Sequence, residues 1–230
     1  YNTKFRLNYS ISENQNFLNN IKNRIIKECL KFLSINGPIY ISTFSDIPDR
    51  SGLGSSSSFT VGLLNALYKY KGIKISQKKL AEQAYIIETK KIKNPIGRQD
   101  QYAAALGGLN FFTFKKNNTV KVQKIDSKRL ESFINKNMIL VWSKLRRDNT
   151  KILQDQKKKF KKNKNKLDQI KFITEVFYKN YLNKNFSKKL FGDLLNSSQN
   201  IKVKLANNIV NKRKLNLINK IKKNKIYGLK

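Results

Sequence analysis

The sequence predicts an α+β chain in which a mixed α/β region is followed by a mainly helical one, and three observations carry that reading. Runs of alternating apolar residues interchange with helical spacing as far as about residue 142. A loop holding Gly52 and Gly54 leads from one such strand into a helical segment. Beyond residue 143 the strand signals thin out and lysine-rich helical spacing takes over. The two parts are expected to divide as 1–142 and 143–230.

In chain order, residues 4–10 place Phe5, Leu7 and Tyr9 on one face, the period of a strand. Residues 17–33 carry Leu18, Ile21, Ile25, Leu30 and Leu33 at helical spacing, and Asn36-Gly37-Pro38 would stop that helix. Residues 38–44 form the next strand. The glycine loop follows, and after it Phe59, Leu63, Leu64 and Leu67 recur with helical spacing. Gly72 ends this helix and Ser76 caps a second one that runs to about residue 90. Asn94-Pro95 and Gly97 make a turn before a short Ala-rich helix that Gly107-Gly108 ends. Residues 109–114 and 120–125 flank Lys115-Lys116-Asn117-Asn118 as a hairpin, and 138–142 reads as a further strand. Residues 150–170, 172–181, 190–196 and 205–226 read as helices.

Composition narrows the chemistry. The hydrophobic share of 39% over 230 residues suffices for a real core. No run approaches the roughly 18 apolar residues of a membrane span and no signal pattern opens the sequence, so a soluble, cytoplasmic protein with no membrane partner is expected. There is no histidine, which excludes histidine-based catalysis and His-ligated zinc. The single cysteine, Cys29, cannot form an intrachain disulfide and reads as a small helix residue rather than a nucleophile. A net charge of +35 would ordinarily suggest nucleic acid. Here residues 151–230 hold 22 Lys against four acids without a basic stripe or a nucleic-acid motif. The excess reads as a solvated surface with a bias toward Lys, Asn and Ile, and no specific nucleic-acid partner is expected.

Residues 46–60 read Asp-Ile-Pro-Asp-Arg-Ser-Gly-Leu-Gly-Ser-Ser-Ser-Ser-Phe-Thr. Gly52 and Gly54 let the backbone approach a ligand, and Ser55, Ser56, Ser57 and Ser58 open the helix, where free N–H groups and the dipole attract phosphate. The plain alternative is a Ser-capped helix after a turn. It is not a Walker loop, because no Gly-Lys-Ser/Thr follows. In the next helix Leu80, Ala84, Ile87 and Glu88 fall at i, i+4, i+7 and i+8, so Glu88 lies on or beside the inward face, as a boundary residue or a functional one. Asp100 could cap the Ala-rich helix or act chemically.

With the first loop, residues 97–108, Gly-Arg-Gln-Asp-Gln-Tyr-Ala-Ala-Ala-Leu-Gly-Gly, resemble the GHMP small-molecule kinases, the group of galactokinase, homoserine kinase and mevalonate kinase. Within it the wording of 47–48, 52–60 and 99–108 is most similar to the bacterial heptose 7-phosphate kinases. The resemblance implies a GHMP kinase fold, with a ribosomal protein S5 domain 2-like N-terminal domain and a truncated ferredoxin-like C-terminal one. It implies ATP and Mg²⁺ as cofactors and a sugar phosphate as substrate, phosphorylated at the anomeric hydroxyl. Gly52, Leu53, Gly54, Ser55, Ser56, Ser57 and Ser58 would hold the ATP phosphates, and Ser56 with Glu88 would hold Mg²⁺. Asp100 would face the attacking hydroxyl, and Arg98, where the family more often has Lys, would steady the transferred phosphate. Gln99 and Arg147 would contact the substrate.

Departures stand at Asp49-Arg50, where the family prefers small residues, and at Lys144, where it often has Gly. The family motifs expected before and after this region are not in the sequence, which reads as an internal portion of a kinase, one with little activity by itself. Other GHMP sugar kinases of galactose or fucose type, a GHMP-fold protein that binds without turnover, and a basic nucleic-acid module are the competing readings.

Overall fold

The computed structural model describes residues 3–47, 51–143, 149–183, 185–207, 209–210 and 212–229. The chain divides into two compact units, Tyr1–Ile125 and Asp126–Lys230. A helix unforeseen in the sequence, α5 (Lys128–Asn137), follows the hairpin and sets Phe133 against Phe186 and Phe191 of the second unit.

The first unit opens with β1 (Phe5–Asn8), β2 (Ser12–Gln15), α1 (Arg24–Phe32) and β3 (Ile39–Ser42). In the sheet, ordered β2-β1-β3, β1 runs antiparallel to β2 and parallel to β3, with Phe5 opposite Gln15 on one side and Ile39 on the other. The alternation seen in the sequence is real: Phe5 and Leu7 are both 1% exposed. β2 has no apolar alternation to betray it. It pairs around the buried Glu13, whose carboxylate accepts from the Tyr9 hydroxyl at 2.9 Å, the Lys22 amide at 2.6 Å and Gln15 Nε2 at 3.2 Å. The helix expected over 17–33 is split. A 3-10 turn covers Leu18–Asn20, and α1 starts only at Arg24 because the Asn23 side chain accepts from the amides of Ile25 and Ile26.

Next come α2 (Ser55–Tyr70), α3 (Gln77–Ile86), a π-helical turn Ile87–Lys91, α4 (Gln99–Leu106) and the antiparallel hairpin β4 (Asn110–Phe114) and β5 (Val120–Lys124). One core unites these elements, with Ile26 and Leu30 of α1, Leu64 and Leu67 of α2, Ala84 of α3 and Tyr102 of α4 among its members. Cys29 is fully buried in it. Burial pushes its thiol far above the usual range, with the Glu88 and Glu28 carboxylates adding to the effect, so it stays an inert helix residue.

Among its described residues the second unit is helical: α5, α6 (Asn149–Lys158), α7 (Lys164–Leu182), α8 (Lys188–Lys202) and α9 (Lys212–Lys222). The helical run of 150–170 is interrupted at Asn163, which is buried and donates from Nδ2 to the Leu205 carbonyl at 2.7 Å. Phe133, Phe177, Phe186 and Phe191 form a ring cluster, and beside it a cavity of about 380 Å³ is lined by Leu130, Tyr181 and Leu182. Residues 138–142, read from the sequence as a strand, join no ladder among the described residues. They have no strand neighbour in this unit and stand exposed, Ile139 to 89% and Leu140 to 78%. No helix among the described residues is long and apolar enough to cross a membrane.

Candidate active site

The site is built where α2 begins. Its N-cap is Gly54, at φ 73° and ψ 23°, a left-handed conformation that glycine adopts without penalty, and no side chain among the described residues caps the helix. Elsewhere Asn23, Ser76, Ser127 and Ser187 each turn a side-chain oxygen onto the first-turn amides of their helices. The serines of α2 do otherwise. The first intrahelical bond is Ser58 N–H to the Gly54 carbonyl at 2.9 Å, which leaves the amides of Ser55, Ser56 and Ser57 without a helical partner at the positive end of the dipole. Gly52 and Leu53 are exposed beside them.

Beneath this helix end lies Glu88, wholly buried in the π-helical turn after α3. Leu80, Ala84 and Ile87 are buried on the same face, which explains why the residue one step on is carried inward. The Ser56 hydroxyl donates to Glu88 Oε1 at 2.6 Å and the Ser57 hydroxyl to Oε2 at 2.8 Å. Ser57 is itself buried whereas Ser56 is exposed, so Oε1 is the oxygen tied to the open side.

Asp100 enters from the first turn of α4 and stands against the loop. A Cβ placed on Gly54 would meet its Cβ, Cγ and Oδ2 at 3.5 Å. Gln99, one residue earlier, is exposed. Arg98 is more engaged than the sequence implied: its guanidinium donates to the carbonyl and side-chain oxygens of Asn118 and lies over the Tyr85 ring at 4.6 Å. It is thereby pinned to the β4–β5 turn. Arg147, Asp49, Arg50 and Lys144 lie outside the described residues.

The structure thus brings together the loop, Ser56, Ser57, Glu88 and Asp100 from three separate segments. It also adds a residue that the sequence reading passed over. Gln101 is wholly buried on α4, and its Nε2 donates to Glu88 Oε2 at 2.5 Å and to Ser57 Oγ at 3.0 Å. The signal was available: Gln101 lies four residues before the buried Ala105 and next to the buried Tyr102, a polar side chain on an inward face. Behind it Tyr102 donates to Glu82 Oε1 at 3.0 Å, and burial together with that carboxylate pushes its phenol up to about 12.

Carboxylate and hydroxyl oxygens are the hard donors that Mg²⁺ selects, and Glu88 Oε1 with Ser56 Oγ supplies one of each at the mouth of the loop. Among the described residues no group of three or more His, Cys, Asp or Glu gathers. Such a site would therefore draw its remaining ligands from phosphate oxygens and water, the usual habit of Mg²⁺ beside nucleotides.

Residues 20–108 match the model of the GHMP kinases N terminal domain. The chain is 34% identical over 141 residues to a D-glycero-alpha-D-manno-heptose 7-phosphate kinase of Campylobacter jejuni subsp. jejuni, and 33% identical over 89 residues to a mevalonate kinase of Saccharolobus solfataricus. These alignments take in 60% and 39% of this chain, and the chain spans 40% and 28% of the length of those relatives. It is similar in structure to a D-glycero-D-manno-heptose 1-phosphate kinase from Bacteriodes thetaiotaomicron, with a TM-score of 0.68 and 22% identity over 87% of this chain and 64% of that one. For a mevalonate kinase from Methanococcus jannaschii the TM-score is 0.62 at 25% identity, covering 92% of this chain and 68% of the other. These likenesses show the fold, the α+β fold of GHMP kinases.

Proposed function

We propose that this chain, with a GHMP kinase N-terminal domain at residues 20–108 and the fold of those kinases, phosphorylates a sugar phosphate at the expense of ATP. The observation that carries the reading is the convergence of Asp100 and Glu88 on the uncapped start of α2. Phosphoryl transfer asks a protein to position donor and acceptor and to neutralise charge, and asks for little covalent chemistry. The amides from Gly52 to Ser56 bind the ATP phosphates. Ser56 and Glu88 would hold Mg²⁺, which supplies charge neutralisation at the phosphates when bound. Asp100 orients the acceptor hydroxyl and takes its proton as the oxygen–phosphorus bond forms and ADP departs.

For the acceptor we favour D-glycero-D-manno-heptose 7-phosphate, phosphorylated at its anomeric hydroxyl to the 1,7-bisphosphate, as the name of the Campylobacter relative suggests. Gln99, at the exposed start of α4, and Arg147 are the residues proposed to meet the sugar phosphate. Arg98, already fixed by Asn118 and Tyr85, contributes its charge from a set position rather than by swinging in.

The test is ADP release with heptose 7-phosphate, free heptose, galactose, fucose and mevalonate, run on the full-length enzyme and on its Asp100→Asn variant. Turnover on the sugar phosphate is expected to fall by roughly 10² to 10⁴ in the variant with ATP affinity kept, since a base is lost and the cradle is not. Loss of ATP binding with unchanged turnover per bound ATP marks Asp100 as structural. ATP binding with no turnover of any acceptor makes the protein a binder, and a preference for an unphosphorylated sugar removes the heptose phosphate assignment.

A further inference from the structure

We propose that Gln101 is a positioning residue that fixes the Glu88 carboxylate, so that Oε2 is retained inside the protein and Oε1 is turned to Ser56 and the cation site; this rests on the kinase reading above. The carboxylate is wholly buried and its two oxygens are treated differently. Oε2 accepts from two buried groups, Gln101 Nε2 at 2.5 Å and Ser57 Oγ at 2.8 Å, while Oε1 accepts from the exposed Ser56 at 2.6 Å. The terminal torsion of a glutamate is broad, so without donors on the inner oxygen nothing would hold the carboxylate plane with its other oxygen toward the helix end.

The amide pays for this arrangement at its other end: Gln101 Oε1 is buried with no hydrogen-bond partner among the described residues. A flipped amide would not help, because it would aim that oxygen at the carboxylate. An acceptor left unsatisfied within a fully buried side chain marks a residue whose donor end is under a stronger demand than its packing. The residue type fits the same demand. A Lys or Arg at this position would satisfy Oε2 and also cancel the charge on which a divalent cation depends, whereas the neutral amide donates and leaves the charge whole.

Chain position adds a second effect. Gln101 directly follows Asp100 on α4 and also donates to Ser57 Oγ on α2 at 3.0 Å. One side chain thus ties the segment that carries the proposed base to the helix that carries the phosphate cradle and to the proposed cation ligand.

The experiment titrates MnCl₂ into the protein holding a non-hydrolysable ATP analogue, followed by electron paramagnetic resonance, for the wild type, Gln101→Leu, Ser57→Ala and Glu88→Gln. Resistance of the buried Cys29 to a thiol reagent reports folding in each. Gln101→Leu and Ser57→Ala are expected to weaken Mn²⁺ binding roughly 10- to 100-fold, the effect of removing an outer-shell partner. Thermal stability of Gln101→Leu should fall, because the buried carboxylate loses a charge-assisted donor and removal of the orphaned acceptor offsets only part of that loss. Should Glu88→Gln weaken Mn²⁺ binding while folded Gln101→Leu and Ser57→Ala do not, the positioning role is refuted and the cation site stands. Should Glu88→Gln itself leave Mn²⁺ binding intact, the cation site fails and the inference with it. If Gln101→Leu does not fold, Ser57→Ala alone decides, since both donors act on the same oxygen.

Discussion

Replacing Gly54 by alanine separates the two demands made on the loop. The residue sits at φ 73° and ψ 23°, where an L side chain costs about 1–2 kcal/mol. Part of this is offset, because alanine narrows the unfolded ensemble by about 0.4–1 kcal/mol relative to glycine. No clash adds to the cost: the new Cβ would stand 3.5 Å from Asp100 Cβ, Cγ and Oδ2, an ordinary contact. The net loss of stability is therefore about 1 kcal/mol, and the Ser58 amide keeps its bond to the residue 54 carbonyl. Turnover should suffer far more. The methyl group stands between the cradle and the Asp100 carboxylate, where the proposed mechanism puts the acceptor hydroxyl, and a displacement of about 1 Å there would cost on the order of 10²-fold, or about 2.7 kcal/mol of barrier. Urea unfolding followed by circular dichroism gives the first quantity and steady-state ADP release the second. If Gly54→Ala turns over like the wild type, the reacting atoms do not meet between Gly54 and Asp100. A stability loss above about 3 kcal/mol would show that the position is packed rather than open.

The other predictions concern stability. Burial alone would raise the Glu13 carboxyl, but hydrogen bonds from the Lys22 amide, Tyr9 and Gln15 outweigh it and hold the group below its usual 4.5. Its contribution is thus present above about pH 4.5 and lost as pH falls through the depressed value. Glu13→Gln should be less stable than the wild type at pH 7 by roughly 1–3 kcal/mol in urea unfolding, with the gap closing as pH falls through the depressed carboxyl value, and a gap independent of pH would refute the charged role. In the second unit a Cβ on Gly192 would collide with the Tyr227 backbone, in a segment that Asn196 holds by donating from Nδ2 to the Tyr227 carbonyl and accepting at Oδ1 from the Leu229 amide, both at 3.0 Å. Gly192→Ala should release that segment and speed tryptic cleavage after Lys225, and unchanged protection would mean that the close approach is not maintained in solution.

Legibility in the sequence followed the length and regularity of each signal. The period-two pattern at Phe5 and Leu7 and the helical spacing around Leu63, Leu64 and Leu67 gave β1 and α2 because burial on one face enforces those periods. β2 escaped because its buried residue is a carboxylate, stabilised by groups from three positions that no local pattern reveals. The start of α1 was misplaced by a cap: Asn23 overrides the apolar residues before it. In the second unit, lysine-rich periodicity extended smoothly past Asn163, whose buried bond to Leu205 is a contact across the chain and so invisible locally. At the site, the inward path of Glu88 was readable from Leu80, Ala84 and Ile87, whereas the π-helical turn that presents it was not. Such a turn inserts one residue into the helical count, and nothing in the sequence of 87–91 demands it.

The charge of the chain and the charge of the site follow opposite rules. With 49 Lys and Arg against 14 Asp and Glu, an acid has cations for neighbours almost wherever it falls. Asp155 meets Lys159 at 2.8 Å and Glu28 meets Lys31 at 3.9 Å. Glu88, like the buried Glu13, is held by neutral donors: its partners among the described residues are two serines and a glutamine, although burial of an unpaired carboxylate is the costlier course. Asp100 likewise forms no ion pair among the described residues and faces a glycine. A cation placed against either would lower the cost of the fold and remove the feature that phosphoryl transfer uses, a full negative charge waiting for a metal ion or a proton. In the proposed kinase the excess of Lys and Arg would act at longer range, attracting polyanionic substrates to a site whose two carboxylates have no ion-pair partner among the described residues.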